Sequence, residues 1–274
     1  MLWIGGAPGA GKSTLARQLS RSMDLPLHPI DLWAYDHLAR RPAAESLDEE
    51  LARGPEASAD AFAASSRDRL DLVLDDVTAR DLGPVPALVE GPQLMPDLAA
   101  RLPGGYGVWL LPDPERTRLA RQERLAREHS LGGGPTAARR DRTEALLRRD
   151  AILAGRIERA AARAGRPVIE VPANPDWATI AAAIEAALSP ALREVPRLTE
   201  GPALSAQRRR ENAVAVRQGR LWAAAGGLAT LPSYPFACEC GTSGCPAAWP
   251  VTPDKYEARA AGQALVLHGG RVTR

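Results

Sequence analysis

The chain has few lysines, cysteines and aromatic residues, and it has no long apolar run. Among 274 residues only Lys12 and Lys255 are lysines, although lysine and arginine together number 35. The formal net charge of +2 is too small to predict binding to nucleic acid or to an anionic membrane. No apolar run approaches the roughly 18 to 20 residues of a membrane helix, and the N-terminus lacks the regions of a signal peptide. We therefore expect a globular cytoplasmic protein with no membrane partner.

The most specific motif lies at the start of the chain. Residues 6 to 13 match the pattern G-x-x-x-x-G-K-[ST] in full, between an apolar segment and a segment with helical apolar spacing. Glycines let successive N–H groups point at phosphate oxygens, and the N-terminus of the following helix adds partial positive charge. The motif predicts a nucleoside triphosphate site, for ATP with magnesium, formed by Gly6, Ala7, Pro8, Gly9, Ala10, Gly11, Lys12, Ser13 and Thr14.

Two side chains of this motif are expected to act directly on the phosphates. In a chain whose basic residues are almost all arginine, Lys12 indicates a position that needs a compact ammonium group. Lys12 can bridge the terminal phosphates, and we predict that it is catalytic. The hydroxyl of Ser13 can ligate Mg²⁺.

Short apolar segments alternate with helical segments up to about residue 190. Besides the first strand, strands are predicted at 25–30, 86–89, 106–111 and 167–171, and helices at 45–80, 115–164 and 177–188. This alternation predicts an α/β fold with a parallel five-stranded sheet and helices on both faces. Ligands of such sheets bind beyond the carboxyl ends of the strands.

Two acidic residues follow predicted strands at that edge. Asp31 and Glu90 could each accept a proton from a substrate hydroxyl or hold magnesium through water, and both are predicted to be catalytic. The segment 71–76 offers a rival, because it resembles the apolar strand and acid of many P-loop ATPases. Its apolar residues fall mainly on one helical face, which favours a helix and leaves Asp75 as the alternative magnesium acid.

An arginine-rich segment separates the fourth and fifth predicted strands. Phosphoryl transfer needs cations over the migrating group, and a lid that closes on the site would supply them. The glycines at 132–134 suggest a hinge for such a lid. The alternative is a solvated helix in an arginine-rich protein. Under the lid interpretation, the predicted catalytic arginines are Arg121, Arg124 and Arg149.

Residues 1–190 resemble the small P-loop kinases. The resemblance rests on the GAPGAGKST loop, the acid after the second strand, Glu90-Gly91 after the third, and the arginine-rich segment before the fifth. This group includes adenylate and shikimate kinases, chloramphenicol phosphotransferase and zeta-toxin-like sugar-nucleotide kinases. The resemblance implies a P-loop kinase-like sheet and transfer of the terminal phosphoryl of ATP to a small-molecule hydroxyl. The helices between Asp31 and residue 80 would then shape the acceptor pocket, but no nucleoside-monophosphate pocket is recognisable.

The last third of the chain differs in composition. Residues 191–203 are rich in proline and polar residues and are predicted to link the first domain to a small α+β domain at 204–274. All three cysteines lie there, at Cys238, Cys240 and Cys245, and His268 is the only histidine downstream. Three thiolates and an imidazole predict a tetrahedral zinc site that stabilises this domain, whereas the alternative is ordinary or redox-active thiols.

The same region resembles a small domain found in many actinobacterial proteins, for which no activity is established. The resemblance rests on Arg210-Glu211-Asn212 with Arg217, the segment 236–240, Cys245, Tyr256-Glu257 with Arg259, and His268-Gly269. The basic run 208–210 is expected to be a solvated helix start. An alternative function follows from this region: an ATP-binding regulator whose zinc module binds a protein or nucleic acid.

Overall fold

The computed structural model of the chain describes residues 1–43, 45–80, 83–102, 105–131, 137–226, 228, 230–261, 263–268 and 271–272. These residues form a parallel five-stranded sheet with flanking helices, followed by a smaller α+β region. The sheet has the spatial order β2-β3-β1-β4-β5. Its strands are β1 (Leu2–Gly6), β2 (Leu27–Pro29), β3 (Leu88–Glu90), β4 (Tyr106–Pro112) and β5 (Val168–Val171).

Helices connect the strands and continue after the sheet. The first seven are α1 (Lys12–Ser22), α2 (Ala34–Arg40), α3 (Leu47–Ala52), α4 (Pro55–Thr78), α5 (Pro114–Ser130), α6 (Ala137–Arg163) and α7 (Trp177–Glu194). The C-terminal region contains α8 (Pro202–Gly226), β6 (Tyr234–Ala237), β7 (Ala248–Val251), α9 (Pro253–Ala260), β8 (Leu267–His268) and β9 (Arg271–Val272). Within the described ranges, no helix is long and apolar enough to cross a bilayer.

The main sheet is buried on both faces, as its near-continuous apolar strands require. Leu2 and Ile4 of β1 pack into a core with α1 and α7 on one face. Trp3 points to the other face and packs in a second core with α4 and α6. This arrangement confirms the predicted parallel sheet with flanking helices.

Two predicted boundaries are wrong. The second strand covers only Leu27–Pro29, and a 3-10 turn at Ile30–Trp33 follows it, so Asp31 lies in that turn. Helix α7 continues to Glu194 although Pro190 lies inside it. The last turn survives the lost hydrogen bond because Ala191 and Leu192 are buried in the core.

Residues 71–76 belong to helix α4, which confirms the helical interpretation of that segment. Val73 and Val77 of α4 are buried against the sheet. Asp75 points away from them, with a side chain that is 74% exposed. Its place on the outer face of a helix, away from any strand end, argues against the alternative magnesium acid.

The C-terminal region has a small core of its own and packs against the edge of the sheet. Phe236 stacks on Tyr256 with ring centroids 4.2 Å apart. Helix α8 covers the edge strand β2, where the Glu211 carboxylate accepts a hydrogen bond from the Leu27 N–H at 2.8 Å. Arg208, expected to be solvated, is buried instead and donates to the Ser20 carbonyl at 2.8 Å. The domain boundary near residue 200 stays a prediction.

Candidate functional site

The phosphate-loop motif forms a tight turn between β1 and α1. Gly9 and Gly11 have φ angles of +88° and +77°, which side chains rarely adopt. A Cβ atom on Gly11 would also lie 2.5 Å from the ring of Trp177. Helix α1 has no side-chain cap and no acidic residue in its first turn, so no side chain of the helix itself occupies its first N–H groups. The loop therefore fits a phosphate group.

Lys12 is buried at the base of this loop, and its Nζ donates to the Ala7 carbonyl at 2.8 Å. Burial lowers the pKa of Lys12 to about 8, while the nearby carboxylates of Glu90 and Asp31 raise it. The charge of Arg124 also lowers this pKa. Lys12 thus lies within electrostatic reach of both predicted acids and of one predicted lid arginine.

Glu90 ends β3 and is almost completely buried. Neither of its carboxylate oxygens has a hydrogen-bond partner of normal geometry among the described residues. Burial and the charge of Asp31 raise the pKa of Glu90 to about 7, whereas Lys12, the Ser13 hydroxyl and Arg17 lower it. An unpaired buried carboxylate is costly, so this group is suited to receiving a ligand or a proton.

Asp31 lies beside Glu90 but in a different environment. Its side chain is exposed, and one oxygen accepts a hydrogen bond from Gln93 at 3.2 Å. Its charge influences Lys12, Glu90 and Arg69. The two predicted acids therefore share one edge of the sheet, with one buried and the other open to a substrate.

The three predicted lid arginines are held differently. Arg121 on α5 and Arg149 on α6 both form ion pairs with Asp150, whose side chain is fully buried. Arg149 also lies over the ring of Phe62 at 5.3 Å. Arg124 is exposed and forms no ion pair within the described part of the chain. Roles for all three stay predictions, and the predicted hinge at 132–134 lies outside the described residues.

Several residues at this site were not predicted. Trp177 closes one side of the phosphate loop, and Gln93 orients Asp31. Arg17 lies one helical turn after Ser13 and donates to the Thr14 hydroxyl at 3.4 Å. Only Arg17 carried a signal in the sequence, because a spacing of four residues places it on the same face of α1 as Ser13.

The three cysteines form a second cluster, with all three sulfur atoms within 4.8 Å of one another. All are free thiols. A tetrahedral zinc ion with bonds of about 2.3 Å would hold its sulfurs about 3.8 Å apart. If the three sulfur atoms move slightly closer together, they can therefore coordinate a metal ion such as zinc.

Backbone N–H groups already point at two of these sulfurs. The N–H of Leu267 donates to Cys238 Sγ at 3.2 Å, and that of Thr242 to Cys240 Sγ at 3.5 Å. Such bonds favour thiolates and are typical of the surroundings of metal ligands. The fourth predicted ligand is His268, whose backbone belongs to β8 beside Leu267. Its side chain lies outside the described part of the structure.

Comparison of the chain with models of known protein families found no match, and comparison with curated protein sequences found none. The functional interpretation consequently rests on the motif, the sheet and the geometry of the two clusters.

Proposed function

We propose that the protein is an ATP-dependent phosphotransferase that moves the terminal phosphoryl group of ATP to a hydroxyl of a small molecule. The observation that carries this proposal is Glu90, a buried carboxylate beside Lys12 and Ser13 of a phosphate-loop motif, whose oxygens accept no hydrogen bond of normal geometry among the described residues. A purely structural site would have paired this charge. A carboxylate at this place suits a site that holds Mg²⁺ beside phosphate groups.

Each residue has a role in this proposal. The loop amides and Lys12 hold the phosphates, and Arg124 neutralises charge on the transferred group. Glu90 and Ser13 would hold Mg²⁺, which neutralises phosphate charge when bound. Asp31 is exposed beside Glu90, so it is the acid that a substrate hydroxyl can reach and the one that we expect to accept its proton.

The phosphate site can be tested with the two lysines of the chain. Isothermal titration calorimetry with MgATP should detect binding to the wild-type protein and a loss of at least about tenfold in affinity with Lys12→Ala. Lys255→Ala removes the same charge from the exposed face of α9 and should bind like the wild type. Equal binding by both variants, or no binding by the wild type at millimolar ATP, would refute the proposal.

The acceptor step is tested with two aspartates. Asp31→Asn should lower phosphoryl transfer by about 10² to 10⁴ while leaving MgATP binding intact. Asp75→Asn, on the outer face of α4, should leave transfer unchanged. The assay is ATP consumption across sugars, metabolite alcohols and antibiotics. An unchanged turnover with Asp31→Asn would favour the alternative, a nucleotide-dependent regulator.

We also propose that the cysteine cluster holds one structural zinc ion, with His268 as its fourth ligand. The convergence of three thiols and two N–H donors supports this assignment. The small size of the C-terminal core supports it too, because such regions depend on metal or disulfide cross-links. Metal analysis should find about one equivalent of zinc, and less in His268→Ala.

A further inference from the structure

A cavity of about 560 Å³ lies between the sheet region and the C-terminal region. Helix α1, the 3-10 turn at Ile30–Trp33 and the end of α4 form one side of it. Helix α8 and strand β6 form the other side. The C-terminal region is therefore required to complete this cavity, whose volume suits a small organic molecule.

The charges that line the cavity are strongly unequal. Its lining includes five arginines and one carboxylate, that of Glu211. Glu211 forms an ion pair with Arg208 at 3.0 Å, so its charge is already compensated outside the cavity. Arg217 forms an ion pair with Asp36. The four remaining arginines, none of which forms an ion pair within the described ranges, are Arg17, Arg21, Arg80 and Arg210.

Within the described ranges, these four guanidinium groups form few hydrogen bonds, and Arg17 and Arg80 also lie over the rings of Tyr234 and Trp33. Arg21 donates to the Pro235 carbonyl at 3.0 Å, Arg80 to the Leu27 carbonyl at 3.3 Å, and Arg210 to the Gln207 side chain at 3.0 Å. These acceptors are neutral, and a guanidinium carries five N–H donors. Burial lowers the pKa of Arg21 and Arg80, and the charge of Glu211 only partly offsets this effect.

The cavity approaches the proposed catalytic edge, although Asp31 and Glu90 are not among the described residues that line it. Leu32 and Trp33 line it and follow Asp31 directly in the same turn. Arg17 also lines it, and its charge reaches Glu90. A ligand that extends from the cavity past Leu32 would therefore bring a hydroxyl to Asp31 while its charged groups contact the arginines.

We infer that this cavity is the acceptor site and that the acceptor carries at least two negative charges, as phosphate or carboxylate groups. The inference that the ligand is the acceptor rests on the proposed phosphotransferase function. The inference that the cavity binds polyanions does not depend on that function. The C-terminal region thus supplies part of substrate recognition, through Arg210 and the wall formed by α8 and β6.

The test measures polyanion binding after removal of Lys12 has weakened the phosphate loop. In a Lys12→Ala background, 10 mM pyrophosphate, compared with chloride at equal ionic strength, should raise the Tm by about 2 °C or more. Adding Arg80→Gln and Arg210→Gln should remove most of this shift. Adding Arg67→Gln and Arg163→Gln, which remove the same charge from exposed helix positions, should leave it in place. A parallel titration with citrate distinguishes carboxylate from phosphate recognition.

The double variant Arg80→Lys, Arg210→Lys is the control for correct folding. It keeps both positive charges, so its Tm should still rise with pyrophosphate. The inference is overturned if the Lys12→Ala protein shows no shift with either anion, or if both pairs of glutamine substitutions reduce it equally. Failure of the phosphotransferase proposal appears separately, as absence of MgATP binding by the wild-type protein. The two failures are therefore distinguishable.

Discussion

Glu90 and Glu239 are both buried glutamates, yet their surroundings are opposite. The carboxylate of Glu239 accepts hydrogen bonds from Asn212 at 2.8 Å, from the Tyr256 hydroxyl at 2.6 Å and from the Leu265 N–H at 2.9 Å. Glu90 has no such partner among the described residues, and burial with the charge of Asp31 raises its pKa to about 7. One carboxylate is the centre of a satisfied network, and the other is left available.

The difference follows from what each region can bury. Two large apolar cores cover the faces of the main sheet and stabilise it, so the sheet region tolerates an unsatisfied group at its carboxyl edge. Among the described residues, the C-terminal core cluster contains seven buried residues. With so little apolar burial, we expect this region to depend on satisfied polar groups and on its cysteine cluster. The unpaired Glu90 therefore indicates function in the first region, and the paired Glu239 indicates structure in the second.

Removal of the proposed zinc ion should have the largest effect on stability, and this effect should be confined to the C-terminal region. Structural zinc contributes roughly 10 kcal/mol or more to the folding of small domains. We expect a chelator, or Cys240→Ser, to unfold this region, measured by loss of amide exchange protection in 234–268 but not in β1 and β4. Ser233→Ala, at an exposed position next to β6, keeps all three thiols and should behave as wild type. A metal content below about half an equivalent, unrestored by added zinc, would contradict this prediction.

The Glu239 network should give the next largest effect. In Glu239→Gln the amide group would face one of the present donors, which leaves a buried group unsatisfied, so we expect a loss of about 2 to 4 kcal/mol in the free energy of unfolding. Urea denaturation measures it. Glu257→Gln breaks an exposed ion pair with Arg220 and should cost less than about 1 kcal/mol. Equal losses would show that the network adds nothing beyond a surface pair.

The two regions also differ in how far their sequence predicts them. The place of Asp31 and Glu90 at one edge of the sheet could be predicted because strand order determines it, although the strand before Asp31 ends at Pro29 and a 3-10 turn follows. The pairing of Arg121 and Arg149 with Asp150 could not, because it depends on how α5 packs against α6. The burial of Arg208 was missed for the same reason. In a run of basic residues, the surface that packs against the run determines which residue is buried. Here Arg208 is buried because it donates a hydrogen bond to the Ser20 carbonyl.

Glu90→Gln should have the smallest effect on the free energy of unfolding. It should raise this free energy, whereas Glu239→Gln should lower it. The folded-state pKa of Glu90, about 7, lies above its ordinary value of 4.5, so the folded protein binds the proton more tightly than the unfolded chain. The penalty for ionising Glu90 is therefore absent below pH 4.5, grows as the pH rises, and is complete above pH 7. Replacing the carboxylate by a neutral amide should remove that penalty.

We expect Glu90→Gln to raise the free energy of unfolding by about 2 kcal/mol at pH 8 and by less than about 0.5 kcal/mol at pH 5. Phosphoryl transfer should fall at the same time, because the stabilised protein has lost the group proposed to hold magnesium. Urea denaturation at the two pH values measures the first effect, with the exposed Glu158→Gln as a control that should shift neither value. A loss of stability at pH 8 would mean that Glu90 has a compensating partner and, like Glu239, serves the fold.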